Sequence, residues 1–141
     1  MEYLIKTPEA ELESSSFAFN GQTHCAVFVQ GVTGLPNTTL WKKGRLVIDA
    51  KPGEILRGTA IATFDDDDKY PTVDCPKDMK QYKGGACGRH AAIYISHSDS
   101  GITVYDQWAG SGGVHKRLIR AAKTPGSKRV NEASYYYTIE I

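Results

Sequence analysis

The sequence predicts an α+β domain in which one early helix is followed by an antiparallel sheet of five or six strands. Near the start of the chain, an apolar stretch at residues 25–33 lies between polar turn residues and glycines, which is typical of a short helix. From residue 41 onward, short apolar or alternating runs are separated by turn residues, as in sheets with short connections. This order of one helix and then strands favours the α+β class.

Length and composition describe an ordinary globular domain. The chain has 141 residues and a mass of 15.5 kDa, which corresponds to one domain. With 40% hydrophobic and 23% charged residues, it is not a disordered, collagen-like or coiled-coil protein. The net charge of +1 does not indicate nucleic acid as a partner. No apolar run approaches the roughly 20 residues of a membrane helix, so we expect no membrane insertion.

The first 19 residues are predicted to form a loosely structured arm ahead of the main domain, which covers residues 20–141. The start of the chain contains four glutamates and a polar run at Ser14–Ser16. It has no apolar core of signal-peptide length. We therefore expect that, if the protein leaves the cytoplasm, it uses a route without a cleaved N-terminal signal.

The helix is predicted to run from Cys25 to about Thr33. The apolar run that starts at Cys25 suits either a buried helix or a strand, and its periodicity does not decide between them. Turn residues at 20–23 offer an N-cap before the run, and Gly31 and Gly34 break the pattern after it. These flanks favour a short helix.

Six strands are predicted after the helix. Gly58 interrupts the run at 55–64 and predicts a bulge there, while 89–95 and 102–108 are expected to form a hairpin. Four consecutive aspartates at 65–68 repel one another and are expected in a solvated loop. The predicted strands cover residues 45–48, 55–64, 89–95, 102–108, 114–120 and 134–141.

Cys25 and His90 are the first candidates for chemistry. A thiolate is a strong nucleophile, and a helix N-terminus lowers the pKa of a thiol through its unpaired N–H groups and its dipole. His90 opens a predicted strand directly after the small residues 84–88, which leave room around the imidazole. A histidine beside a thiol accepts its proton and gives a thiolate–imidazolium pair. Taken singly, each residue also suits an ordinary core or surface position.

Asp106 and Gln107 are the candidates to orient the imidazole. Pairing Ile95 with Ile102 in the predicted hairpin sets His90 opposite Gln107, and a slip of one residue sets it opposite Asp106. Either side chain accepts a hydrogen bond from the second ring nitrogen, and the turn length does not decide between them. A helical cysteine, a strand histidine and a polar residue on the next strand follow in the order of papain-like hydrolases.

A zinc site is the competing interpretation of some of these residues. Cys75, Cys87, His90 and His97 offer four ligands, but their spacings match no compact zinc motif. The four-aspartate loop lacks the alternating spacing and the glycine of a calcium loop. We therefore predict no metal and no cofactor.

The three cysteines are odd in number, so one of them has no partner within the chain. Cys75 and Cys87 lie in a polar segment rich in glycine and lysine, which makes them a candidate disulfide with Cys25 left as the free thiol. Three reduced cysteines are the alternative, and the sequence leaves both open.

Several short blocks, in order, resemble the NlpC/P60 and CHAP cysteine peptidases, which have a papain-like fold. The segment Asn20–Gln30 resembles their nucleophile helix, and Lys51–Ile55 is similar to the Pro-Gly-Asp turn that precedes a core strand. The segment Gly88–Tyr94 resembles their Gly-His-hydrophobic strand, and Val104–Trp108 resembles the strand after it, which ends in an acid or amide in CHAP domains. The departures are Glu54 in place of the usual aspartate and Arg89 inserted before the histidine.

With Gly58–Phe64 and Tyr70-Pro71 added, the set most resembles a small bacterial subgroup related to type VI secretion amidase effectors, which travel without a signal peptide. The resemblance implies Cys25 as nucleophile, His90 as base and Asp106 as the orienting residue. Gln107 stays the alternative residue for orienting His90. Gln22 is a candidate hydrogen-bond donor to the oxyanion.

The implied activity is a cysteine amidase, over residues 20–141, that cuts an amide bond in the peptide stems of peptidoglycan. The implied setting is an antibacterial toxin acting in the periplasm of a target cell, with a small immunity protein as its inhibitor. Two alternatives stay open. One is a non-catalytic wall-binding or inhibitor module of the same fold, and the other is a cytoplasmic cysteine hydrolase or deamidase acting on protein.

Overall fold

A six-stranded antiparallel sheet with an α-helix against one face organises the structure, a computed structural model that describes residues 3–13, 15–18, 23–65, 67–71, 88–108, 110–121 and 129–141. The sheet order is β1-β6-β2-β3-β4-β5. This arrangement confirms the predicted α+β class with one early helix. The elements are α1 (Cys25–Thr33), β1 (Lys42–Leu46), β2 (Ala60–Thr63), β3 (Ala91–Ser98), β4 (Gly101–Asp106), β5 (His115–Arg120) and β6 (Tyr136–Glu140).

The helix α1 begins at Cys25 and ends at Thr33, as predicted, although its N-cap is His24 and not one of residues 20–23. Gly34 follows in the left-handed conformation with φ of 79°, and its N–H donates to the carbonyl of Gln30 at 2.9 Å. A glycine adopts this conformation without steric cost, so the helix stops there. No helix among the described residues is long and apolar enough to cross a membrane.

Apolar layers cover both faces of the sheet. The helix contributes Phe28, Val29 and Val32 to one layer, and the 3₁₀ turn at Val47–Asp49 packs on the other face. Strand β2 lies in the middle of the sheet and is buried at all four positions. A strand buried on both sides reads as a continuous apolar run, which explains the lack of alternation in its sequence.

Three strands have bounds that differ from the predicted ones. Strand β2 covers only the second half of the predicted segment 55–64, because Thr59 closes a turn on the carbonyl of Leu56 with both its N–H and its hydroxyl. Strand β1 ends at Leu46, where the chain turns into 3₁₀ geometry instead of continuing to residue 48. The last strand starts at Tyr136, after a further 3₁₀ turn.

The hairpin of β3 and β4 has a different register from the predicted one. Ile102 pairs with His97 instead of Ile95, and the register shifts between Tyr94 and Ser96. The turn is two residues long and closes at Gly101, where a Cβ would collide with the carbonyl oxygen of Ile119. Both predicted pairings of His90 are therefore wrong.

The first residues of the chain pack against the domain instead of forming a loose arm. The N–H groups of Ile5 and Lys6 donate to the carbonyls of Gly58 and Val32 at 2.9 and 2.6 Å. Leu12 is fully buried in the core beneath the helix. The expected looseness is wrong for the described residues, because isolated apolar side chains there find partners only in the folded protein. The division into residues 1–19 and 20–141 stays a prediction.

Candidate active site

Cys25 is the first residue of α1 and lies at the wall of a cleft. The preceding residue, His24, has extended backbone, and its side chain does not cap the helix. The first-turn N–H groups of α1 therefore have no side-chain acceptor from His24. The thiol lies 3.5 Å from the hydroxyl of Tyr70, which is buried.

His90 and Asp106 form a direct contact beside this thiol. The ring nitrogen Nε2 of His90 lies 2.6 Å from Oδ2 of Asp106, and both side chains are buried. Continuing the pairing of Ile93 with Tyr105 by one residue sets Asp106 beside Ala92, two residues from His90. The contact is thus a diagonal one across the two strands. It leaves Nδ1 as the ring nitrogen for Cys25.

Thr63 fixes the backbone at His90. The N–H of His90 donates to the Thr63 hydroxyl at 3.0 Å, and the N–H of Thr63 donates to the carbonyl of His90 at 3.0 Å. Thr63 is the last residue of β2 and is fully buried. The histidine is therefore held by a central strand, although it lies just outside β3.

The electrostatics favour a thiolate–imidazolium pair. Burial raises the pKa of the Cys25 thiol, but the hydrogen bond and the charge of His90 outweigh it, so the pKa is lowered. Burial lowers the pKa of His90, whereas hydrogen bonds to Asp106 and Cys25 raise it, and the result is a pKa of about 9. Burial and the neighbouring thiolate raise the pKa of Tyr70, which keeps its hydroxyl as a donor to Cys25. Each direction stabilises a negative sulfur beside a positive ring.

Gln107 makes its hydrogen bonds at the start of α1 and not to His90. Its side-chain N–H groups donate to the carbonyls of Phe17 and His24 at 2.6 and 2.9 Å, and its oxygen accepts from the N–H of Phe17 at 3.2 Å. Successive residues of an extended chain point to opposite sides. Asp106 therefore reaches the histidine while Gln107 reaches the start of α1, so the structure brings the carboxylate, and not the amide, to the ring.

Arg117 and Trp108 belong to the site but were not singled out from the sequence. Arg117 on β5 donates through Nε to Oδ2 of Asp106 at 2.7 Å, and its guanidinium lies 5.5 Å from the centre of the Trp108 ring. Trp108 is 42% exposed. The sequence signal was an alternating basic strand, which by itself indicates only a solvated face.

The cleft has a volume of about 440 Å³ and is open to solvent. The cleft contains both the thiol of Cys25 and the imidazole of His90, and Trp108 and Arg89 lie beside them. The lining residues are His24, Cys25, Ala26, Thr38, Tyr70, Arg89, His90 and Trp108.

Three of the predicted functional residues lie outside the described residues: Gln22, Cys75 and Cys87. The oxyanion role of Gln22 and the pairing of Cys75 with Cys87 stay predictions. Cys25 is a free thiol in the structure. His97 lies near the far end of β3 from His90, so the two histidines do not meet in one site.

Comparison with known proteins decides the family. The family model of domesticated amidase effector 2 matches residues 3–139. The chain belongs to this family. The match begins at residue 3 and so includes the segment that packs beneath the helix.

Two relatives extend this result. A domesticated amidase effector 2 from Ixodes scapularis is 36% identical over 104 residues, which are 74% of this chain and 59% of that protein. The chain thus spans less than two thirds of the length of this curated relative. The solved structure of a type 6 secretion amidase effector 2 superposes with a TM-score of 0.74 at 25% identity, covering 97% of this chain and 94% of that one. The predicted relation to the type VI amidase effectors and their fold is confirmed, whereas the narrower likeness to NlpC/P60 or CHAP domains stays a prediction.

Proposed function

We propose that this protein is a cysteine amidase that cleaves an amide bond in the peptide part of peptidoglycan. One observation carries the proposal: a thiol at a helix N-terminus and an imidazole lie in one cleft, and a buried carboxylate contacts the imidazole at 2.6 Å. The names of the family and of both relatives contain the words amidase effector, which supports the reaction class.

Cys25, His90 and Asp106 take the roles that the papain-like order implies. The Cys25 thiolate attacks the amide carbonyl and forms the C–S bond, while the carbonyl π electrons move to oxygen. His90 holds the proton from the thiol and delivers it to the nitrogen as the C–N bond breaks, which leaves a thioester and a free amine. Water, deprotonated by the neutral imidazole, then releases the acid and restores the thiol. Asp106 keeps the ring oriented and stabilises its charged form.

The tetrahedral oxyanion needs donors beside the sulfur. The backbone N–H of Cys25 lies in the first turn of α1, where such groups have no partner within the helix. It is the first donor, and the partial positive charge of the helix N-terminus acts in the same direction. Gln22 stays the candidate for the second donor. The reaction uses only these side chains and water, so we propose no cofactor.

The proposed setting is an antibacterial toxin that reaches the periplasm of a target cell. The name of the structural neighbour, a type 6 secretion effector, supports this delivery route. An enzyme that attacks a shared wall polymer endangers its producer, so we also propose a small immunity protein that fills the cleft at Cys25. The peptide stems of peptidoglycan are the substrate in this proposal, and neither nucleic acid nor membrane takes part.

The deciding experiment incubates the purified protein with isolated sacculi and separates the released muropeptides. We expect new peptide fragments with the wild type and none with Cys25→Ala. Cys25→Ser is the conservative variant, because it replaces only the sulfur by oxygen and removes the thiolate, and we expect it to release no fragments either. Sacculi that bind the protein without any Cys25-dependent fragment would indicate the wall-binding alternative. Cys25-dependent release of ammonia from protein glutamines, with intact sacculi, would indicate the deamidase alternative.

A further inference from the structure

Arg117 and His90 converge on one oxygen of Asp106. Oδ2 lies 2.6 Å from Nε2 of His90 and 2.7 Å from Nε and Nη2 of Arg117. Oδ1 of the same carboxylate is buried without a hydrogen-bond partner among the described residues. Oδ2 of Asp106 therefore accepts hydrogen bonds from both the imidazole and the guanidinium.

The arrangement balances charge in the reactive form. A Cys25 thiolate and an Asp106 carboxylate carry two negative charges, and a His90 imidazolium and the Arg117 guanidinium carry two positive charges. A buried group of charges without a net excess avoids the desolvation cost of an unpaired ion. Without Arg117, the thiolate, the carboxylate and the imidazolium would together carry a net charge of −1. Asp106 is fully buried, so solvent would compensate this charge poorly.

Arg117 makes contacts beyond the carboxylate of Asp106, and these contacts hold its side chain in place. Its side chain is 31% exposed and packs on the ring of Trp108, whose other neighbour is the His115 ring at 5.4 Å. Its Nη2 also lies 3.5 Å from Nε2 of His90, so the cation faces the ring at close range. Among the described residues, the titratable and charged groups around this cluster include Cys25 of α1, Tyr70, Arg89, Asp106 of β4, Arg117 and His115 of β5, and Tyr136 of β6.

We propose that Arg117 is a positioning residue that acts through Asp106, by supplying the charge that makes the four-group cluster neutral when Cys25 is a thiolate. The inference rests on the proposed roles of Cys25, His90 and Asp106, but not on the identity of the substrate. Removal of a nearby positive charge raises the pKa of every neighbouring group. A purely structural role would have the opposite effect on His90, because a displaced Asp106 would no longer raise the pKa of the ring.

The test measures the rate of Cys25 alkylation by iodoacetamide against pH, with the modified residue assigned by peptide mass spectrometry. In parallel, kcat/KM for muropeptide release is measured against pH. Arg117→Gln removes the charge and keeps a donor, whereas Arg117→Lys keeps the charge and loses the planar fork. Arg120→Gln on the same strand is the control, because it removes an exposed cation away from the carboxylate. Circular dichroism and thermal unfolding verify that each variant is folded.

For Arg117→Gln we expect the alkylation midpoint and the alkaline limb of kcat/KM to move up by about one pH unit. Arg117→Lys is expected to move them by less than half of that, and Arg120→Gln not at all. A downward move of the alkaline limb, an unchanged alkylation midpoint, an unchanged alkaline limb, or an equal move in Arg117→Lys would overturn the proposal. The alkylation arm needs no substrate, so an inactive enzyme on sacculi with the expected alkylation shift would refute the proposed function alone.

A second variant keeps the test decisive if Arg117→Gln fails to fold. The double variant Asp106→Asn with Arg117→Met removes one charge of each sign and keeps the aliphatic contact with Trp108. Its thiolate–imidazolium form is again neutral, so its alkylation midpoint is expected to lie within about half a pH unit of the wild-type value. A midpoint about one pH unit or more above the wild-type value would show that charge balance is not the role of Arg117.

Discussion

Two histidines near opposite ends of β3 differ in the chemistry of their partners. His90 contacts a carboxylate through Nε2 and lies in the cleft with a thiol. His97 accepts a hydrogen bond at Nδ1 from the Tyr94 hydroxyl at 2.7 Å and donates through Nε2 to the carbonyl of Ala50 at 2.7 Å. Both rings have two partners, but only those of His90 carry charge.

The difference separates a ring whose charged partners suit proton transfer from a ring that stabilises the fold. Charged partners stabilise the imidazolium, and the pKa of His90 is raised accordingly. The neutral partners of His97 fix one tautomer and tie the turn at Val47–Ala50 to the sheet. The presence of a histidine near a strand therefore does not indicate its role. The charge of the groups that contact the ring distinguishes the two roles.

The largest expected effect is the loss of activity in His90→Gln. The substitution keeps a polar side chain but removes the group that carries the proton, so we expect a fall in kcat on the order of a thousandfold or more. His97→Gln is the matched control and should retain activity within about threefold. Rates of muropeptide release under saturating sacculi measure both. Activity of His90→Gln within tenfold of the wild type would remove the papain-like mechanism.

The next effect distinguishes the adjacent residues Asp106 and Gln107. Asp106→Ala removes the carboxylate at the ring, and we expect a fall in kcat on the order of a hundredfold. Gln107→Ala removes donors to the carbonyls of Phe17 and His24, so its expected loss is about 1–3 kcal/mol in the free energy of unfolding. Its kcat should fall only weakly. Steady-state kinetics and urea unfolding of both variants check the contrast, and the reverse ranking of the two rates would contradict it.

The pH dependence gives a smaller but more specific effect. The pKa of His90 is raised to about 9, so the imidazolium is present below this pH and is lost above it. The leaving amine then lacks its proton donor, and we expect kcat/KM to fall by about tenfold per pH unit above the limb. The profile of His97→Gln should have the same limb. A limb at the ordinary imidazole value of about 6.5 would contradict the charged environment of His90.

The smallest effect concerns the fastening role of His97. His97→Leu breaks the bonds to Tyr94 and to the Ala50 carbonyl, and each such bond is worth about 1 kcal/mol. We expect a lower free energy of unfolding with an unchanged kcat at temperatures where the variant is folded. Tyr94→Phe removes only one of the bonds and should cost about half as much. Urea unfolding measures both, and a large fall in the kcat of folded His97→Leu would break the comparison with His90.

Local signals were sufficient for the helix and for the candidate residues. Gly34 ends α1 because a left-handed residue is needed there, and this requirement is readable in the chain itself. Cys25, His90 and Asp106 could be named as candidates from their order along the chain, since residue types and their sequence order do not depend on pairing, and their catalytic roles stay predictions. The hairpin of β3 and β4 could be predicted to exist from its two apolar runs.

The tertiary structure alone decided how these residues meet. The shift between Tyr94 and Ser96 sets the register, and one residue of slip exchanges the faces of Asp106 and Gln107. Leu12 gave no periodic signal and is buried only because the helix and the sheet supply its neighbours. Arg117 is one of several cations on a basic strand, and only its position opposite Val104 in the ladder takes it to the carboxylate. The sequence by itself determined which reactive groups the protein owns, because these are properties of single side chains. Their partners were decided by long-range strand pairing, because contacts between distant segments depend on a register that no local pattern specifies.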